Sequence, residues 1–217
     1  MRAGPFTHRP VTCQSPFCGY NAGMEKRIII GISGASGTVF GIRALEMLRA
    51  VGGIETHLVM SRTAMLTASI ETDHKVPHIL RLADRHYLPE DIAAPIASGS
   101  FPVAGMIVAP CSIRTLGEIV TGMTSSLLTR AADVTLKERR PLVLMVRETP
   151  LHLGHLRSMA AASEMGAIIA PPVPAFYNRP QTLDDMVTYT TGRALEALGL
   201  ALPDLARWTG IMKGSPL

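Results

Sequence analysis

The stretch Arg27-Ile28-Ile29-Ile30-Gly31-Ile32-Ser33-Gly34-Ala35-Ser36-Gly37 decides the fold. Its apolar part is a short β-branched run, suited to a strand buried on both faces of a parallel sheet. Gly34 to Gly37 breaks the run, and Val39 to Val51 follows with apolar residues at helical spacing through Ile42, Leu45, Met47, Leu48 and Val51. Ile54 to Met60 reads as a second strand, and Ser61 as the N-cap of a helix over Arg62 to Glu71. Strand, helix, strand and helix in this order make a βαβ unit.

Outward from that unit the alternation continues. Residues 72 to 102 are irregular, with Pro77, Pro89, Pro95 and Pro102, and Ala97-Ser98-Gly99-Ser100-Phe101 is a loop by composition. Gly105 to Ala109 is a third buried strand, stopped by Pro110-Cys111-Ser112. Helices are expected over Ser112 to Val120 and Ser125 to Glu138. Leu142 to Val146 is a fourth strand, Leu153 to Met165 a helix, and Gly166 to Ala170 a fifth strand. A proline-stiffened loop from Pro171 to Tyr177, a helix over Leu183 to Leu198 and a tail with Arg207-Trp208 complete the chain. The fold class is α/β, a doubly wound parallel sheet.

The chain has 217 residues, 47% hydrophobic and 18% charged, enough apolar surface for one core. We expect a flexible extension over residues 1–23 and a single α/β domain over 24–217. The extension has no apolar h-region and no helical period, so it resembles neither a secretory signal nor a transit peptide. No apolar run is long enough for a membrane span. Three cysteines give no disulfide framework, and a reducing cytoplasm is the expected location. The net charge of +4 is a weak pointer to nucleic acid: without Arg2 and Arg9, 19 basic residues face 17 acidic ones, spread along the chain. Aromatics at 5% leave little to stack on bases.

In doubly wound folds ligands bind beyond the carboxyl ends of the strands, where three unusual loops fall here. The first, Gly31 to Gly37, is small enough for backbone N–H groups to approach an anion at a helix start. Its glycines at 31, 34 and 37 do not match the dinucleotide fingerprint, and the second strand ends in Val59-Met60-Ser61 without an acid for a ribose. NAD is therefore disfavoured, and no P-loop motif exists. The second loop, Cys111-Ser112-Ile113-Arg114-Thr115, places two hydroxyls at another helix start, and the third carries Arg147. Together they suit a phosphate or a flavin. Cys111 reads as a small buried residue rather than a nucleophile. Glu148 stands where a carboxylate beside a cation can move protons. The pairs His74/His78 and His152/His155 lack a metal-site pattern and read as structural.

The segments G-I-S-G-A-S-G, S-G-S-F, A-P-C-S-I-R-T, R-A-A-D-V-T-L-K-E-R-R-P-L-V-L, R-E-T-P-L and P-A-F-Y-N-R-P occur in that order. Together they resemble the UbiX-type flavin prenyltransferases, formerly described as aromatic-acid decarboxylases, from Met24 to about Trp208. The resemblance implies a Rossmann-like flavoprotein fold and a homododecamer with sites at subunit interfaces. It implies that dimethylallyl monophosphate alkylates reduced FMN at N5 and C6, without a metal, giving prenylated FMN for a UbiD-type decarboxylase. Carried onto this sequence, it implies FMN contacts from Gly34, Ala35, Ser36, Ser61, Ser112, Ile113, Arg114, Thr115 and Arg147. It assigns the prenyl phosphate to Arg130, Lys137, Tyr177 and Arg193, with Trp208 closing the site, and proton handling to Ser36, Glu71 and Glu148.

Two other readings compete. Flavin-dependent cysteine decarboxylases carry a histidine in the region of Ser98 to Phe101 and a P-x-M-N motif where this chain has Pro174-Ala175-Phe176-Tyr177. A non-catalytic flavin carrier would have no use for Ser36, Lys137, Glu148 and Arg193 together.

Overall fold

The computed structural model describes residues 26–203 and 205–207. The expectations for the 1–23 extension and for Trp208 lie outside the described residues. Six parallel strands form one sheet in the order β3-β2-β1-β4-β5-β6. They are β1 (Lys26–Ile32), β2 (Ile54–Met60), β3 (Arg85–Tyr87), β4 (Gly105–Cys111), β5 (Leu142–Val146) and β6 (Ile168–Ile169). The helices are α1 (Thr38–Val51), α2 (Arg62–Glu71), α3 (Val76–Leu80), α4 (Ile113–Thr121), α5 (Leu127–Lys137), α6 (Leu153–Glu164) and α7 (Leu183–Glu196).

Strand alternation divides the core in two. Ile28, Ile30, Ile32, Leu58 and Met60 face one side, against Ile42, Leu45 and Leu48 of α1, Ala64 and Ala68 of α2, and Leu195 of α7. Ile29, Val59, Met106 and Val108 face the other, against Leu116 and Ile119 of α4, Leu127, Leu128 and Ala131 of α5, and Ala162 of α6. Each fully buried Ile, Leu, Val or Met side chain among these contributes about 1.5–3 kcal/mol. Gly41 lets α1 lie directly on the sheet: a Cβ there would stand 2.4 Å from the Ala109 carbonyl oxygen.

The irregular stretch 72–102 holds two elements that the sequence pattern does not announce, α3 and the edge strand β3. β3 is three residues long, with Arg85 and His86 exposed, so it carries no hydrophobic period. It is held by pairing with β2 and by Asp84, which accepts from the Thr56 N–H at 2.8 Å and the Thr56 hydroxyl at 2.7 Å. β4 runs two residues past the expected stop at Ala109. Its pairing with β5 shifts register between Val108 and Cys111, and there the missing N–H of Pro110 leaves no gap in a regular ladder.

Register brings Ile32, Met60, Cys111 and Val146 to one edge of the sheet. The chain leaves β1 toward β2 and β4 toward β5, so the order reverses between β1 and β4 and opens a crevice there. Ser33, 1% exposed, staples that crevice. Its hydroxyl donates to the Pro110 carbonyl at 2.8 Å and accepts from the Ser112 N–H at 2.7 Å.

α1 starts at Gly37, whose φ of 96° puts it in the left-handed region and whose missing side chain cannot cap the helix. Glu71, at the far end of α2, takes that role. Its carboxylate accepts from the N–H groups of Gly37 (2.8 Å) and Thr38 (3.3 Å) and from the Ser36 hydroxyl. Burial alone would raise the Glu71 pKa, but these donors outweigh it and hold the group below its ordinary value of 4.5.

Two stability predictions follow from these contacts. Ser33→Ala leaves the Ser112 N–H without its acceptor, so urea denaturation should show a loss of about 1–3 kcal/mol. For Glu71 the folded pKa is depressed, so its stabilisation is present above the unfolded carboxylate range and disappears as pH falls through the folded value. Discounted for solvent, Glu71→Gln should cost about 0.5–1 kcal/mol at pH 7, and the gap to the unmodified protein should close below the ordinary carboxylate range. Denaturation midpoints across pH 3–7 measure it, and a gap independent of pH would contradict the cap.

Candidate active site

Three helices begin at the crevice, each with a serine N-cap. The Ser61 hydroxyl accepts from the Ala64 N–H at 3.0 Å, Ser112 from Thr115 at 3.2 Å and Ser126 from Thr129 at 3.4 Å. Other first-turn N–H groups of these helices have no acceptor within the helix and favour an anion at its end. A cleft of about 390 Å³ lies between them. Of the residues expected to hold FMN, Gly34, Ser61, Ser112, Arg114 and Thr115 line it. Gly34 is required by close approach: a Cβ there would stand 2.5 Å from the Thr63 side chain at the start of α2.

The cleft also takes in Arg62, Thr63, Glu90, Glu118, Ser125 and Thr129, none of which the sequence reading singled out. Ser126 and Thr129 form a reciprocal capping box, a signal that was available in the sequence. Arg62 is paired with Glu90 at 2.6 Å and Arg114 with Glu118 at 2.9 Å, both arginines being 82% exposed at the side chain. Burial would raise the Glu118 pKa, but the Ser125 hydroxyl and Arg114 together lower it, so the carboxylate is charged at neutral pH.

The first loop does not offer all its amides to a ligand, as its sequence suggests. Glu71 already takes the N–H groups of Gly37 and Thr38, and of this loop Gly34 lines the cleft. The Ser36 hydroxyl is hydrogen-bonded to the Glu71 carboxylate. Arg147 follows β5 at the same sheet edge, its N–H donating to the Cys111 carbonyl at 3.0 Å. Glu148 is exposed and its carboxylate accepts from the Thr149 N–H at 3.0 Å rather than pairing with Arg147. Cys111 is fully buried and burial pushes its thiol up to about 12, so it is no nucleophile at neutral pH. His152 caps α6, its Nδ1 accepting from the Gly154 N–H at 3.0 Å, a structural role.

The residues expected to hold the prenyl phosphate fall into two groups. Tyr177 lies in a short 3₁₀ turn (Phe176–Asn178) and meets Tyr189 of α7, while the charge of Arg193 on the same helix acts on its phenol. Arg130 and Lys137 belong to α5, against the 97–101 loop. Arg130 donates to the Ala97 carbonyl at 3.2 Å and to Asp133 at 2.7 Å, and Lys137 pairs with Glu138 beside Gly99. Lys137 ends α5 just before β5 begins, whereas Arg147 follows the end of β5. Within one chain they stand at opposite edges of the sheet.

A family model described as Flavoprotein matches residues 20–191. The chain is 59% identical over 187 residues to the flavin prenyltransferase UbiX of Escherichia coli (strain K12), covering 85% of this chain and 99% of that protein. Its fold matches the crystal structure of AnUbiX (PadA1) in complex with FMN and dimethylallyl pyrophosphate, with a TM-score of 0.84, 45% identity, and coverage of 86% and 99% of the two chains. It also matches a dodecameric FMN-dependent UbiX-like decarboxylase from Escherichia coli O157:H7, with a TM-score of 0.83, 47% identity, and coverage of 85% and 100%. With the serine-capped cleft at the strand-order reversal, these likenesses place the chain in the family of UbiX flavin prenyltransferases.

Proposed function

We propose that the protein joins the dimethylallyl group of dimethylallyl monophosphate to N5 and C6 of reduced FMN. The phosphate leaves, and the product is prenylated FMN for a UbiD-type decarboxylase. The observation that carries the flavin half is the cleft where the starts of α2 and α4 converge beside Gly34, stapled by Ser33. Its donors fit an FMN: serine and threonine hydroxyls and helix amides suit a phosphate and a polyol chain, with Ala35, Ser36, Ile113 and Arg147 toward the ring.

Bound reduced FMN supplies the nucleophilic nitrogen and carbon. The chain supplies the rest. As the allylic C–O bond breaks, negative charge grows on the departing phosphate. Arg130, Lys137, Arg193 and the Tyr177 hydroxyl are donors that stabilise this state more than the bound ester. Ser36, backed by the Glu71 carboxylate, holds a proton at its Oγ, and the Glu148 carboxylate accepts one at Oε. The exposed rings of Phe176 and Tyr177 offer an aromatic wall to an allylic cation, with Trp208 assigned to closing the site.

Because Lys137 and Arg147 stand at opposite sheet edges in one chain, we assign the complete site to the contact between copies in a homododecamer. The exposed apolar side chains Leu66, Ile70 and Leu183, at 61%, 76% and 79%, support burial against another copy. The cysteine-decarboxylase reading finds no support in the 97–101 loop, which carries no histidine of its own and where the Ser98 and Ser100 hydroxyls bond each other at 2.9 Å.

The test is anaerobic turnover with reduced FMN and dimethylallyl monophosphate, with the diphosphate in parallel, and the flavin read by mass spectrometry. A flavin heavier by one C₅H₈ unit is expected with the monophosphate. Glu148→Gln should lower the rate about 100-fold or more, in line with loss of a proton-transfer group, while the bound flavin spectrum persists. Unmodified flavin from folded, FMN-loaded protein would overturn the assignment.

A further inference from the structure

We propose that Tyr189 is a positioning residue for the prenyl phosphate, acting through the hydroxyl of Tyr177. The inference rests on the reading of Tyr177 and Arg193 as phosphate ligands. The Tyr189 and Tyr177 hydroxyls are hydrogen-bonded, and the two rings meet edge to face at 87° with centroids 6.1 Å apart. Tyr189 lies four residues before Arg193 on α7, so both project from one face of the helix.

A phenol has one proton to give and oxygen lone pairs to receive. If the Tyr177 O–H donates to a phosphate oxygen, its own oxygen is left to accept, and Tyr189 supplies the donor. The relay runs from the Tyr189 O–H to the Tyr177 oxygen, and from the Tyr177 O–H to phosphate. Each bond in such a chain polarises the next, and the first fixes the rotation of the second hydroxyl. This matters because Tyr177 is half exposed and sits on a three-residue turn rather than a long element.

α7 is a firm base for the relay. Arg43 of α1 donates to Asp184 at 3.1 Å and to Thr188, the neighbour of Tyr189. Leu205 and Met47 close on Gly192. A phenol keeps its proton through neutral pH, as a donor to phosphate must.

Tyr189→Phe, Tyr177→Phe and the double variant test this in the anaerobic prenylation assay, at saturating reduced FMN with dimethylallyl monophosphate varied. Both substitutions keep the ring and remove only the hydroxyl. Tyr189→Phe should raise KM for the prenyl phosphate about three- to tenfold with kcat within about twofold, as loss of uniform binding predicts. The double variant should be no worse than Tyr177→Phe. An unchanged KM in Tyr189→Phe, with Tyr177→Phe impaired, would overturn the relay and leave Tyr189 a packing residue. An unchanged KM in Tyr177→Phe would overturn the phosphate-ligand reading itself, and the relay with it.

Discussion

The site depends on one buried hydroxyl. Where the strand order reverses, the Ser33 N–H donates to the Pro110 carbonyl at 3.2 Å and ties the loop after β1 to the end of β4. The Ser33 hydroxyl adds two shorter bonds, giving its proton to the Pro110 carbonyl and accepting from the Ser112 N–H, both within 2.8 Å. A larger side chain would not fit at 1% exposure, and alanine would leave a buried amide unpaired. Around this staple the starts of α2 and α4 are brought into one cleft. The catalytic role proposed for Ser36 and the flavin contacts proposed for Gly34, Ser112 and Thr115 all hang from those two loops.

The sequence showed the sheet because parallel strands buried on both faces are written as continuous β-branched runs, and Arg27 to Ser33, Ile54 to Met60 and Leu142 to Val146 each became a strand within a residue of the expected bounds. β3 stayed hidden because Arg85 and His86 at a sheet edge carry no period, and its stability comes from Asp84 reaching back to Thr56 across 28 residues. The site was legible as residue types and not as partnerships. Small and hydroxyl residues after β1, β2 and β4 announce an anion or flavin cleft. That Glu71 would cap α1 from 34 residues away, withdrawing two amides from any ligand, follows only from the fold. So does the separation of Lys137 from Arg147, since a sequence does not say at which end of a sheet a helix stops.

Charge organisation explains how a cleft built for anions remains stable without one. The basic side chains at the crevice and on α5 and α7 mostly stand beside an acid. Arg62 has Glu90, Arg114 has Glu118, Arg130 has Asp133, Lys137 has Glu138 and Arg193 has Glu196. Such pairs at a wet surface contribute only about 0–1 kcal/mol each. They are too weak to hold a guanidinium against a phosphate dianion, yet strong enough to keep its side chain near one rotamer and to offset repulsion between neighbouring cations. Binding a phosphate at such a site exchanges one partner for a better one. That differs from desolvating a free cation, and the acid left behind returns to water at little cost because Glu90 and Glu138 are themselves solvent-facing.

The same reasoning separates the two halves of the proposed chemistry. The flavin half is built from backbone amides and hydroxyls on helix starts that the core holds rigid, as an acceptor that must be aligned to within a fraction of an ångström requires. The phosphate half is built from long cations and a phenol on a short turn, elements that can follow a leaving group as it moves away. A leaving phosphate moves away as it gains charge, whereas the flavin ring stays in place. Rigid donors for one and compliant donors for the other therefore match the different demands of the two partners. The assignment of Lys137 and Arg147 to different copies fits the same division, because a subunit contact can bring compliant cations to a rigid cleft without disturbing the sheet that forms it.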